Sequence, residues 1–285
     1  MKTNGGFVMD VFDYEKDYDY TKKLIRGEIG GIFKGIYYCS NEIIPYTLNN
    51  IDLDGKNVLA VIGSGDQAIH SLFRNANVDV FDICSLPRYY LYLRKWFIKY
   101  NKMFYPDFDC FNSRLDKLNE LLLKVECSSE QEKSALLYWM SFIKDKLEFQ
   151  KVFAFPSSWN DNILDVDELE RFKNYTDFDS YIFDLCGDSD LPSKKYDYIL
   201  SSNIIEHCGM DEQKIECTKK NLIELLNPHG IVICSQIFSE YFDPPREVQM
   251  DIFSSDFEYS DTCVDRMCDG NLYKFYAGYT YTKKY

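Results

Sequence analysis

KNVLAVIGSGDQAIHSLFRNANVDVFDI, residues 56–83, decides the fold of this 285-residue chain. Its first part, Lys56–Ile62, is a run of β-branched and aliphatic residues bounded by Asp-Gly before and Gly-Ser-Gly after. A run without polar alternation predicts a strand buried on both faces, as in parallel sheets. From Asp66 to Asn75 the apolar residues fall at 68, 69, 72 and 73, which is helical spacing, and Val78–Ile83 reads as a second short strand. Strand, glycine turn, helix and strand make a βαβ unit.

Upstream, residues 1–50 read as a helical and irregular segment with a break at Gly30–Gly31. Downstream, from Pro87, the pattern changes to long helical stretches: PRYYLYLRKWFIKYNKMF, SRLDKLNELLLKV, SSEQEKSALLYWMSFIKDKLEF and DVDELERFKNY. Leu118, Leu121 and Leu122, with Leu137, Tyr138 and Trp139, are the expected buried faces of a helical pair, and Ser128-Ser129 followed by Glu-Gln-Glu is a helix start signal. Strand signals resume at Tyr181–Phe183, Tyr196–Leu200 and Ile231–Ile237. An amphipathic helix, MDEQKIECTKKNLIELLN, separates the last two and is ended by Pro228 and Gly230. TCVDRMCDGNLYKFYAGYTYTKKY, with Asp-Gly-Asn between alternating segments, predicts a C-terminal antiparallel hairpin. The expectation is an α/β chain with one sheet spanning 51–285, interrupted by a helical insertion over 85–179 where a whole βαβ unit needs only about 30 residues.

Composition narrows the function. Lys plus Arg is 32 and Asp plus Glu is 46, a net charge of −14 that repels phosphate backbones and disfavours nucleic acid as a partner. An apolar share of 46%, including 16% aromatic, supports a sizeable core. The 10 cysteines are scattered with no CxxC pair, so the expectation is no metal site and mostly buried, reduced thiols. The acidic start MKTNGGFVMDVFDYEKDYDY is unlike a secretory signal, and no apolar run approaches the roughly 18 residues of a membrane span. A cytoplasmic protein is expected.

The sharpest local feature is Gly63-Ser64-Gly65-Asp66-Gln67-Ala68 at the carboxyl end of the first strand. Glycines there let the backbone turn tightly and approach a ligand, with helix N–H donors behind. Asp82, at the end of the second strand, is placed to accept the hydroxyls of a ribose. The bland alternative is an ordinary tight turn of a doubly wound sheet; with Asp82 in place, an adenosine-type ligand is favoured, and a nicotinamide cofactor shares these first parts. Among three histidines, His207 suits a general base with Glu206 orienting it, although a Glu-His pair also simply ends a strand. His70 and His229 read as structural. The aromatic set Tyr37, Tyr38, Tyr89, Tyr90, Tyr92 and Trp96 lines an acceptor pocket or, more ordinarily, packs helices.

Three further segments, Gly187-Asp-Ser-Asp-Leu-Pro192, Lys195-Tyr-Asp-Tyr-Ile-Leu-Ser-Ser-Asn-Ile-Ile-Glu-His207 and Leu226-Asn-Pro-His-Gly-Ile-Val-Ile233, occur in the order in which class I S-adenosylmethionine-dependent methyltransferases carry their motifs. The chain resembles that superfamily over roughly 50–84 and 180–282, which implies a Rossmann-like sheet with a final antiparallel strand. It departs from the pattern at Val61, where an acid is usual, and at Gln67, which replaces a third glycine. VIGSGDQA together with Ser202-Asn203 is locally similar to the 3-amino-3-carboxypropyl transferases that make betaine-lipid head groups. The resemblance implies that Gly63, Ser64, Gly65 and Asp66 contact the methionine part, with Asp66 standing in for the missing acid at 61. It further implies Asp82 on the ribose, Ile83 against the adenine, and Asp188 and Ser189 at the adenine amino group, with Asp184 competing, while Ser202 and Asn203, at the end of the fourth strand, also bind the cofactor. The implied activity is methyl transfer to a small molecule; aminocarboxypropyl transfer, an inactive cofactor-binding partner subunit and a nicotinamide-dependent oxidoreductase are the alternatives.

Overall fold

The computed structural model describes residues 12–30, 36–37, 40, 44–48, 51–101, 105, 129–144, 153–154, 179–208, 211–235, 246–268 and 271–285. In chain order the helices are α1 (Tyr14–Ile25), α2 (Asp66–Phe73), α3 (Ser85–Asn101), α4 (Glu130–Lys144), α5 (Glu212–Leu225) and α6 (Arg246–Phe253). The strands of the main sheet are β1 (Asn57–Val61), β2 (Asn77–Asp82), β3 (Ser180–Ile182), β4 (Tyr196–Ser202), β5 (Leu226–Ser235), β6 (Phe257–Cys268) and β7 (Asn271–Lys283). The chain divides into two compact units, one of residues 1–40, 62–66 and 84–177, the other of residues 41–61, 67–83 and 178–285.

The second unit is the sheet. Its strand order is β3-β2-β1-β4-β5-β7-β6, parallel from β3 to β5, with β7 antiparallel between β5 and β6. Val58, Leu59 and Ala60 of β1 are wholly buried, as an unalternating apolar run requires of a strand covered on both faces. The register sets Val58 against Val78 on one side and Tyr198 on the other. Around it Phe81 stacks on Phe183 at 4.7 Å between ring centroids, and Tyr196, Ile199, Leu222, Val232 and Tyr281 extend the core. The buried Asp79 on β2 accepts from Tyr196 Oη at 3.0 Å and pairs with Lys194 at 2.7 Å, so this charge is held rather than orphaned. At the amino edge Asp197 accepts from the Asn57 backbone N–H at 2.9 Å and from Asn227 Nδ2 at 2.8 Å, tying β1, β4 and β5 together.

The C-terminal hairpin forms as the alternation predicts, pairing Phe257 with Lys283 through Cys268 with Asn271. The start of β5 differs from the sequence reading. The sequence pattern runs the helix through Asn227, ends it at Pro228 and Gly230 and begins the strand at Ile231, but the extended backbone begins at Leu226. Leu226 opposes Tyr196 and Ile231 opposes Tyr198, so the extra residues bulge outward and His229 takes φ +61°. The Pro-His-Gly signal marked a bulge within the ladder, because Leu226 is buried and already paired. Asp211 caps α5 by accepting from the Lys214 N–H at 3.2 Å, and Ile215, Leu222 and Leu225 face the core.

The first unit is helical. α1, α3 and α4 pack through aromatic faces: Tyr89 stacks on Tyr138 at 4.1 Å, and Tyr18 meets Phe142 edge-on at 4.7 Å. Ser129 accepts from the Glu132 N–H at 3.3 Å and starts α4 where the sequence signal lies. Tyr138 and Trp139 are buried as expected, while Leu137 is half-buried and its neighbour Leu136 is buried instead. Leu118, Leu121 and Leu122 lie outside the described residues. Cations are buried on α3: Arg88 pairs with Asp17 at 3.4 Å and Lys95 with Glu132 at 3.7 Å. No helix among the described residues is long and apolar enough to cross a membrane.

The bulge generates a test of packing. A Cβ at Gly230 would lie 2.9 Å from Leu226 Cδ2, 3.0 Å from the Asn227 carbonyl and 3.1 Å from the Tyr196 carbonyl. Backbone oxygens on two sides leave little to give, so Gly230→Ala is expected to cost about 1–3 kcal/mol, the usual range for overpacking. Urea unfolding of the variant beside the parent checks it.

Candidate functional site

The Gly-Ser-Gly-Asp segment belongs to the helical unit. Directly after β1 the Gly65 N–H closes a turn onto the Ile62 carbonyl at 2.5 Å, with φ of +49° at Gly63 and +86° at Gly65. Both values favour glycine, and at Gly65 a Cβ would also meet Leu91 Cδ1 at 2.8 Å. Asp66 is 0% exposed, and its carboxylate is engaged on both oxygens. Oδ1 lies 2.8 Å from Arg94 Nη1 and accepts from Tyr105 Oη at 3.0 Å; Oδ2 accepts from the Ser40 N–H at 2.5 Å and from Ser64 Oγ at 2.8 Å. The same Arg94 nitrogen donates to the Ser64 carbonyl at 2.7 Å, and the guanidinium lies over the Tyr105 ring at 4.4 Å. Burial is the largest influence on the Arg94 charge and works against it, but the Asp66 carboxylate together with Tyr105 and Tyr90 holds the pKa above the ordinary value. The carboxylate that the resemblance offers to an α-amino group is thus committed to locking its own turn.

Sequence reading did not find Arg94, Tyr105 or Ser40 as partners of this turn. A signal existed: Arg94 and Lys95 interrupt an aromatic and aliphatic helix, and buried cations need partners. Of the two readings of the aromatic set, burial favours the ordinary one, helix packing, for the members described. Tyr89, Tyr90, Tyr92 and Trp96 are buried in helix packing, and the side chains of Tyr37 and Tyr38 lie outside the described residues.

In the sheet unit, the remaining candidates collect at the carboxyl ends of β2, β3 and β4, adjacent parallel strands with β1 among them. Asp82 ends β2 and is 8% exposed, its Oδ1 accepting from the Ile83 N–H at 2.8 Å. Ile83 follows at 56% exposed, unusual for a large aliphatic side chain. After β3, Asp184 turns its Oδ1 onto the Cys186 N–H at 2.9 Å, and Ser189 Oγ accepts from the Asp184 N–H at 3.2 Å. Asn221 on α5 donates to the Leu185 and Gly187 carbonyls, both at 2.9 Å, and so backs this loop from below. A Cβ at Gly187 would strike Asp184 Oδ2 at 2.8 Å, so a larger residue there would displace the Asp184 side chain. Asp184 and Asp188 are both exposed.

At the end of β4, Ser202 adopts φ +53°, a strained conformation for a residue with a Cβ. Its hydroxyl faces Asn203 Oδ1 at 3.4 Å, and a 3-10 turn, Ile205–Cys208, follows. Gln249 on α6 donates to the Ile205 carbonyl at 3.3 Å and supports that turn. Glu206 is half-buried on it; His207 lies on the same turn, but its side chain is outside the described residues. His70 is buried on α2 and His229 sits on the β5 bulge. That bulge borders an open depression of about 140 Å³ with Lys56, Asp197 and Tyr198, at the amino edge away from these strand ends. Among the described residues no three His, Cys, Asp or Glu side chains group as metal ligands.

No family model matches the chain, and no curated protein matches it in sequence. Solved structures do resemble it. A TehB-like SAM-dependent methyltransferase from Corynebacterium glutamicum is 9% identical, with 94% of this chain and 96% of that one covered at a TM-score of 0.40. The N-methyltransferase NodS from Bradyrhizobium japonicum, in complex with S-adenosyl-L-homocysteine, is 8% identical, covering 92% and 98% at 0.40. Magnesium protoporphyrin IX methyltransferase from Synechocystis, with bound SAM, is 10% identical, covering 96% and 85% at 0.40. At such identities and scores, function has to be argued from this chain's own residues.

The Asp66–Arg94 pair generates the next test. Arg94→Ala is expected to destabilise the protein by about 3–5 kcal/mol, because a carboxylate is left buried without its cation. Adding Asp66→Asn removes the orphaned charge and should recover part of that loss. Urea denaturation of the single and double variants reads both; a single variant as stable as the parent would mean that the carboxylate reaches water.

Proposed function

We propose that this protein is an S-adenosylmethionine-dependent methyltransferase acting on a small molecule. The observation that carries the reading is the sheet order β3-β2-β1-β4-β5-β7-β6, with an acid, Asp82, and then an exposed Ile83 at the end of β2. In open α/β sheets ligands bind outside the carboxyl ends of the strands where the order reverses, which here is between β1 and β4. Dinucleotide-binding sheets of the same kind follow the order 3-2-1-4-5-6, whereas this sheet inserts antiparallel β7 next to β5.

Asp82 accepts the two ribose hydroxyls in this reading, and Ile83 offers an apolar face to the adenine. Asp188 accepts from the adenine amino group; Asp184 is the weaker candidate because its Oδ1 already accepts from Cys186. Ser189 orders that loop and lies against the cofactor, and Ser202 with Asn203 contacts the cofactor at the end of β4. Gly63, Ser64 and Gly65 are assigned to the methionine part through backbone groups, with Asp66 holding the turn in shape. When bound, S-adenosylmethionine supplies a sulfonium-activated methyl group. The chain's own task is then to align the nucleophile and exclude water. His207 is proposed to take the acceptor's proton, with Glu206 orienting it. The charge of −14 favours a small acceptor over a nucleic acid.

Calorimetry with S-adenosylmethionine and transfer of a labelled methyl group to candidate acceptors test the reading. Release of S-adenosylhomocysteine is expected; release of methylthioadenosine would assign aminocarboxypropyl transfer instead. Binding without turnover on a broad acceptor panel would favour a non-catalytic partner subunit, and preference for a nicotinamide cofactor would overturn the assignment. Asp82→Ala should weaken binding by about 1–3 kcal/mol, as expected for loss of a charged acceptor. Unchanged affinity would remove Asp82 from the ribose site.

A further inference from the structure

Two cysteines that the proposed transfer reaction does not use lie against each other at the carboxyl ends of β3 and β4. Cys186 Sγ is 3.1 Å from Cys208 Sγ, and both are free thiols. They come from separate loops: Cys186 from the segment after β3, Cys208 from the 3-10 turn after β4. Helix α5 fixes both. Asn221 holds the carbonyls on either side of Cys186, and Thr218, one turn earlier, places its hydroxyl 3.4 Å from Cys208 Sγ. Cys208 is 4% exposed while Cys186 is half-buried, so the pair is reached from the Cys186 side.

We propose that Cys186 and Cys208 form a redox-active dithiol that hydrogen peroxide closes to a disulfide. A disulfide needs sulfurs about 2.05 Å apart, so closure asks for roughly 1 Å of movement. The hydrogen bond between the two sulfurs draws the Cys208 thiol down to about 7 against the effect of burial, while the same bond and its own burial push Cys186 up. The pair therefore holds one thiolate, the reactive form, beside one thiol. The Cys208 thiolate attacks a peroxide oxygen, the O–O bond breaks, and the leaving hydroxide takes a proton to become water. The Cys186 sulfur then attacks the resulting sulfenic acid, forming the S–S bond as its own proton leaves with the hydroxide as a second water. Two thiols are oxidised by two electrons and one peroxide is reduced to two waters.

Closure pulls Cys186 inward, and with it the Gly187–Ser189 segment that begins one residue later. The consequence for ligand binding rests on the proposed function: the oxidised protein should bind S-adenosylhomocysteine at least several-fold more weakly.

The test treats the full chain with hydrogen peroxide, blocks remaining thiols by alkylation, and maps disulfide-linked peptides by mass spectrometry. A peptide joining Cys186 to Cys208, lost on reduction with dithiothreitol, is expected. The same link should survive in Cys217→Ser and vanish in Cys208→Ser, and in Cys186→Ser the sulfenic acid should persist at Cys208, trapped by dimedone. Sulfinic acid at both positions in the parent without a link, or a link to another cysteine, overturns the proposal. Mapping needs no ligand, so it stands or falls separately from the transferase reading. A mapped link with unchanged S-adenosylhomocysteine affinity refutes only its regulatory consequence.

Discussion

A strand buried on both faces has no side on which to tolerate water, and β1 imposes that constraint on the rest of the sheet. Val58, Leu59 and Ala60 are fully covered, and the strand is hydrogen-bonded to β2 on one edge and β4 on the other. Parallel neighbours require crossovers, so the chain must leave the sheet and return between each pair. It travels outward through β2 and β3, then comes back to begin the other half at β4. The strand order reverses on either side of β1, and polar loops follow the carboxyl ends of β2, β3 and β4.

Buried charge is the second constraint. Asp66 with Arg94, Lys95 with Glu132 and Asp79 with Lys194 each set a carboxylate with low exposure against a cation. Desolvating such groups is costly, and pairs of this kind add little net stability compared with apolar replacements. Their value lies in geometry. A carboxylate that accepts from an arginine, a tyrosine, a serine and a backbone N–H permits one shape for the turn around it, and the Gly63–Asp66 segment is held in that shape. An acid that reads as a ligand in the motif is instead the keystone of its own loop.

The helices and strands were legible because their signals are local. Ser129 capped the helix it was expected to cap, and the alternating C-terminal segments paired as a hairpin. Leu226 and Asn227 read as the end of the helix because Pro228 and Gly230 stop a helix as readily as they bulge a strand; only the pairing of Leu226 with Tyr196 distinguishes the two. The place of Asp82 at a strand end was readable, whereas Asn221, which shapes the loop after β3 from a helix further along the chain, left no motif. Nor did the partnership of Cys186 and Cys208, separated by a strand and two loops.

By itself the sequence determined the class of sheet, where its strands fall along the chain and the glycine turn that follows the first of them. Apolar runs, glycine turns and alternation are properties of neighbouring residues, and they act before any distant contact forms. Tertiary structure alone decided which polar groups remain available. It enclosed Asp66 with Arg94, left Ile83 uncovered beside Asp82, and brought two thiols together. A side chain's availability depends on what the rest of the chain packs against it, and burial and pairing of that kind are set by residues tens of positions away.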